Sequence, residues 1–219
     1  LSGEEIAALT KALAAHEDQQ AANIIRLLIL TGARKGEVLS ARWEQFDLQA
    51  GVWTKPGATT KQKTTHRVPL SKAACELLEG ITDGAETKAT EKDRKVEPSD
   101  FVFPGRTGGH RVEIKTAWRE LCVAAGLVAR TEVRGADGLE VRLTPTARIH
   151  DLRHTYASLL VSSGLSLPIV GALLGHTQPA TTHRYSHLMD NPLRAATERV
   201  GALVMPATEP VENKEGEPA

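Results

Sequence analysis

Apolar residues recur at helical spacing along most of the chain. Ile6, Leu9 and Leu13 form one stripe, and Ser2 with Glu5 three residues on has the spacing of a capping box, so a first helix starts at Ser2. A second helix is written in "AANIIRLLILTG" and ended by Gly32, and "RKGEVLSARW" is a short third with Arg34 at its entrance. The period then changes. "GVWT" and "HRVPL" read as short strands, which makes residues 55–65 a turn-rich hairpin end carrying Lys61 and Lys63. Ser71 caps a helix through about Ile81, and the mixed-charge residues 82–100 are expected as a surface loop.

"VEIKTAWRELCVAAG" predicts a helix stopped by Gly126, and "TEVRGADGLEVRL" alternates on both sides of a turn, the pattern of a hairpin. Helices follow up to Gly164, from Ser166 to Leu174, around Thr181 to Leu188, and from Asn191 to Val204. Residues 206–219 are rich in Pro and Glu and are expected to form a flexible acidic tail. The pattern is mainly α with a small antiparallel sheet, an α+β class, in one unit over residues 1–205.

Composition narrows the setting. The start "LSGEEIAALT" carries acids rather than a basic leader, and no run of 18 apolar residues occurs, so no membrane partner is expected and a cytoplasmic setting is. Cys75 and Cys122 both lie in apolar helical patterns, as buried thiols do. The absence of an initial Met suggests an excised fragment. The formal net charge is zero, which alone argues against nucleic acid. Its distribution argues otherwise, because residues 31–70 hold seven Lys/Arg against three acids while residues 206–219 hold four Glu and one Lys.

The candidate chemistry begins in "IHDLRHTYAS". At 100° per residue, His150, Arg153 and His154 share one arc and Leu152, Tyr156 and Leu159 a roughly opposite one, so the polar arc is expected to face outward. A solvated helix face is the ordinary meaning of such an arc. A metal is the second: His150 and His154 stand at i, i+4, as do His183 and His187. The slot where a zinc hydrolase carries its general-base Glu holds Arg153, however, and a cation there opposes a metal.

Two further motifs tilt the balance toward a phosphate clamp. "TGARKGEV" places Arg34 at a glycine-bounded helix entry with Glu37 able to orient it. "LLGHTQPATTHRYSHL" ends a helix at Gly175 and His176 and sets Tyr185 nine residues later. Guanidinium groups bind phosphate oxygens bidentately, imidazoles add donors, and a tyrosine is a nucleophile whose phenolate also leaves well. Taken in order, these motifs resemble the tyrosine recombinases, the phage integrase family, over nearly the whole chain outside residues 82–100, 128–147 and the tail.

The resemblance implies a helical catalytic domain of the DNA breaking–rejoining type, acting on double-stranded DNA through a 3′-phosphotyrosine with no cofactor and no metal. Arg34 matches the first arginine, Glu37 its acidic neighbour, His150 and Arg153 the second box, His176 the third, and Tyr185 the nucleophile. The family's hairpin lysine sits eight residues before the proline of the strand written "RVPL", which from Pro69 gives Lys61 rather than Lys63. The resemblance further implies a nucleoid-associated homotetramer on DNA formed through the C-terminal helix, a monomer when free, and a separate N-terminal DNA-binding domain absent from this chain. A type IB topoisomerase shares the chemistry, and a catalytically silent DNA-binding module is the non-enzyme alternative. His154, His183, Arg184 and His187 are left as surface or supporting groups.

Overall fold

The computed structural model describes residues 1–57, 64–91, 99–135 and 138–205. Helix α1 (Gly3–Ala15) begins at the expected capping box: Glu5 N–H donates to Ser2 Oγ, and Ser2 N–H to the Glu5 carboxylate. Helix α2 (Gln19–Thr31), capped by Asp18, is the pillar of the main core. Its Ala21, Ala22, Ile24, Ile25, Leu27 and Leu28 are all buried, and it packs against α1, the short α3 (Lys35–Leu39), α4 (Lys72–Glu91), α5 (Lys115–Ala124) and α6 (Asp151–Ser162). Each large aliphatic chain so buried contributes about 1.5–3 kcal/mol.

The two predicted strands, β2 (Val52–Lys55) and β3 (His66–Pro69), form an antiparallel sheet with a further two-residue strand, β1 (Phe46–Asp47), in the order β1-β2-β3. Trp53 anchors this sheet: it is fully buried, stacks on Phe46 at 5.0 Å and donates its indole N–H to Gln45 Oε1. The expected second hairpin is present as β4 (Val128–Gly135) and β5 (Gly138–Pro145), with Val128 opposite Pro145. It projects from the body with Leu139 and Val141 exposed.

Helices α6 and α7 (Leu167–Leu174) build a second, smaller core from Ala157, Val161, Val170, Leu174 and Tyr185. The chain then passes through α8 (Pro179–His183), a 3-10 turn at Ser186–Leu188, and α9 (Asp190–Val204). No residue of α9 is buried. Among the described residues no helix is long and apolar enough to cross a membrane.

Three expectations are corrected. Residues 82–91 continue α4 instead of forming a loop. That stretch lacks an apolar stripe, but its Ala, Glu and Lys are strong helix formers and no proline interrupts them, so propensity extends what packing began. Arg153 does not face outward; it is 5% exposed, whereas Leu159 of the supposed apolar arc is 51% exposed. Helix α6 has cores on two sides, and the polar arc of its first turn falls in the seam between them. Cys122 is buried, but Cys75 is only half-buried, and both are free thiols.

Candidate active site

The seam between the two cores is where the sequence motifs meet. Gly32 ends α2 in the left-handed conformation (φ 60°), and a Cβ there would overlap the Tyr156 ring. The sharp exit puts Arg34 at the extended N-cap of α3. Glu37, at the third position of α3, turns back on it: the Arg34 amide and Nη1 donate to the Glu37 carboxylate at 3.2 and 2.7 Å. Lys55 Nζ donates at 2.9 Å to Glu37 Oε2, the oxygen that also accepts the Arg34 amide; it is itself 2% exposed and lies 4.4 Å from the Trp53 ring centroid.

Burial alone would raise the Glu37 carboxyl, but the Lys55 charge and the hydrogen bonds from Lys55 and Arg34 win and hold it at about 2. Burial pushes the Lys55 ammonium down, and Glu37 only partly offsets this. Arg34 is thus held by a carboxylate that is in turn held by a buried cation. Lys55 escaped the sequence reading because lysines of a hairpin are ordinarily solvated. Strand alternation carried the signal, since Lys55 shares the inward face of β2 with Trp53.

Arg153 lies deeper in the seam. Nη1 donates to the Gly32 carbonyl and Nη2 to the Leu174 carbonyl, each at 2.7 Å. Burial and the neighbouring Arg34 charge lower its pKa to about 10, so it remains a cation at neutral pH. His150, exposed at the start of α6, has its pKa lowered by burial and by Arg153, against Asp151, which raises it. It borders a groove of about 640 Å³ that also exposes Lys35, Lys115, Arg119 and Arg148 above Trp118.

His176 follows Gly175, the left-handed cap of α7 (φ 68°), and its Nδ1 lies 2.8 Å from Thr182 Oγ1. Burial, then Arg153, Arg34, Arg184 and His154, press its pKa to about 4. The hairpin strand reaches the same turn, because His66 Nε2 sits 2.7 Å from the Ala172 carbonyl. Tyr185 is 6% exposed, and its hydroxyl is 2.6 Å from His154 Nδ1. Burial raises the phenol's pKa against the lowering charges of Arg184 and Arg153.

Arg34, Glu37, His150, Arg153, His176 and Tyr185 are therefore brought together. Lys61, like Lys63, lies outside the described residues. His183 and His187 are exposed, and Arg184 is exposed but close enough to act on Tyr185. Of the two roles left open for His154, surface or supporting, its bond to the tyrosine selects the supporting one, which helical spacing alone could not reveal because the partner lies on a different element. Among the described residues no group of three His, Cys, Asp or Glu is arranged to hold a metal.

Fold and site together define a helical domain in which two arginines and several histidines converge beside Tyr185. The chain belongs to the phage integrase family, which it matches over residues 1–191. It is 26% identical to the integrase of Salmonella phage P22 over 89% of this chain and 46% of that protein. It is 30% identical to tyrosine recombinase XerC of Xanthomonas campestris over 75% of this chain and 43% of that protein. The chain spans about half the length of the curated relatives it matches. The catalytic domain of bacteriophage HP1 integrase superposes with a TM-score of 0.60 at 20% identity, covering 95% of this chain and 98% of that one. XerA recombinase gives 0.64 at 22% identity, covering 91% and 64%.

Two predictions follow from the charges. Lys55→Met strands a buried carboxylate with one partner and should lower stability by about 3 kcal/mol, read as a shift in the urea midpoint at constant slope. The second concerns pH. His66, His150, His154 and His176 all have folded pKa values below the ordinary 6.5, so an unfolded chain takes up protons that the folded one refuses. Stability should fall as pH drops from about 7.5 to 5. His176→Asn should make that drop smaller, as measured by urea melts at the two pH values.

Proposed function

We propose that this chain is the catalytic domain of a site-specific DNA recombinase or integrase, cleaving and rejoining strands of double-stranded DNA through a covalent 3′-phosphotyrosyl intermediate. The observation that carries the reading is the convergence of Arg34 from α3, His150 and Arg153 from α6 and His176 from the end of α7 on the seam that also holds Tyr185, with Glu37 already occupied by Lys55 and Arg34. Such a pocket gains most when an anion enters it. The mutual lowering among its cations is then reversed by the phosphate's charge.

In this reading Tyr185 Oη attacks the phosphorus and the bond to the 5′ oxygen breaks. The two guanidiniums and the two imidazoles supply donors to the nonbridging oxygens as charge grows on them. Lys61, by the register carried from the family, protonates the departing 5′ oxygen. Energy is kept in the phosphotyrosyl bond, so no nucleotide cofactor is needed. Relatives named as integrases and recombinases favour strand exchange over topoisomerase-like relaxation. The reaction calls for a cytoplasmic, nucleoid-associated setting.

A homotetramer on DNA, with a monomeric free chain, is the assembly we propose. Leu193, Val200, Leu203 and Val204 of α9 are more than half exposed. A groove of about 730 Å³ between α7 and α8, lined by Leu167, Pro168, Ala172 and Pro179, offers an apolar seat for the α9 of a neighbouring copy. Sedimentation should show a monomer alone and a higher species with DNA, and Leu203→Glu should abolish only the latter. A DNA-free tetramer would refute this arrangement.

The catalytic reading is tested with a nicked duplex and a denaturing gel. Tyr185→Phe should form no covalent adduct while its DNA affinity, set mainly by phosphate contacts, stays within about twofold of wild type. An adduct surviving in Tyr185→Phe would overturn the assignment.

A further inference from the structure

Attack by a phenol leaves a proton to be placed, and burial makes this phenol harder to ionise than usual. Tyr185 therefore needs a base in contact with its hydroxyl. Arg184 and Arg153, whose charges bear on the phenol, are cations with donors only. His176 has its Nδ1 on Thr182, and among the described residues the base in contact with Oη is His154, whose Nδ1 lies 2.6 Å from it.

We propose that His154 is the general base for Tyr185, taking the phenolic proton on Nδ1 during cleavage and returning it during rejoining. The proposal rests on the strand-transfer reading above and adds to it a residue that the motif assigns no role. Its geometry is fixed from two sides. His154 directly follows Arg153, whose bonds to the Gly32 and Leu174 carbonyls lock the first turn of α6. Tyr185 packs with Ala157 and Val161, one and two turns further along the same helix, so the nucleophile is held against the helix that carries the base.

The protonation state suits the role. Burial, the edge-on His150 ring 5.0 Å away, Arg184 and Arg148 all lower the His154 pKa, and only Asp151 raises it. The imidazole is therefore neutral at pH 7, with its proton on Nε2 when Nδ1 accepts from the phenol. In the step itself the Oη–H bond breaks toward Nδ1 as the Oη–P bond forms. The P–O5′ bond breaks with its electron pair going to the 5′ oxygen, which receives a separate proton from the general acid. In rejoining, the 5′ hydroxyl gives its proton to the deprotonated general acid as it attacks phosphorus, the Oη–P bond breaks with its electron pair going to Oη, and the imidazolium returns its proton there.

The test is single-turnover cleavage of a nicked duplex from pH 5 to 9 by wild type, His154→Ala and His154→Gln, with thermal midpoint and DNA affinity measured alongside. Wild-type rate should rise through a histidine titration and level off. His154→Ala should be at least about 100-fold slower at neutral pH with affinity unchanged, should lose that titration and keep rising with pH, and should be partly restored by added imidazole. His154→Gln, which keeps a hydrogen-bonding side chain but no base, should stay slow. If His154→Gln cleaves at the wild-type rate the residue only positions the phenol, and if His154→Ala does so it has no role; either result overturns the proposal, as does a slow His154→Ala whose pH profile matches wild type. Should His154→Ala fold poorly, the His154→Gln profile decides alone. Absence of any wild-type adduct, or one that persists in Tyr185→Phe, instead overturns the strand-transfer reading.

Discussion

The pair of hydrogen bonds from Arg153 to the Gly32 and Leu174 carbonyls holds this structure's working parts in register. Both carbonyls sit at the C-terminal ends of helices, where the backbone dipoles leave partial negative charge and no intrahelical partner. A buried guanidinium satisfies both ends, and these charge-assisted bonds offset the cost of removing it from water. The consequence is geometric. Arg34 comes two residues after Gly32 and His176 two residues after Leu174, so a single side chain sets the separation of the first, second and third motif boxes.

Around that clamp the charges are arranged in a hierarchy of burial. Lys55 is the most enclosed of the three; it fixes Glu37, which fixes Arg34, which is partly exposed. His66 ties the strand after the lysine hairpin to the end of α7, so the hairpin and the His176 turn share an anchor. Charge that is stabilised internally lies at the back of the seam, and charge left uncompensated lies at the front. Burial first, and then the neighbouring cations, press His176 to about 4 and Arg153 to about 10. The Tyr185 phenol, kept protonated by burial and resting on neutral His154, completes a site poised to receive negative charge.

The periphery obeys other rules. The β4–β5 hairpin and α9 keep apolar side chains in solvent, with Leu139, Val141, Leu203 and Val204 all more than 60% exposed. Helix α9 reaches the body near its start, where Pro192 approaches Gly164. Elements with little buried surface open at low free-energy cost. A segment that follows Tyr185 and is held this loosely can move without disturbing the cores.

The sequence by itself determined the elements whose signal is local. Ser2 with Glu5 announced a cap, Gly32 and Gly175 announced helix ends, the 3.6-residue stripe of α2 announced a core helix, and alternation announced both hairpins, because each depends on neighbours a few residues apart. The order of Arg34, His150, Arg153, His176 and Tyr185 was legible for a different reason: their types and sequence resemble the motif boxes of the phage integrase family. Tertiary structure alone decided that Arg153 points inward, that Lys55 is buried against Glu37, and that His154 rather than solvent meets the Tyr185 hydroxyl. A helical wheel assumes one buried face, and α6 has a core on either side of its polar arc. Contacts between residues 18 or 31 positions apart depend on how distant elements pack, which no local period encodes.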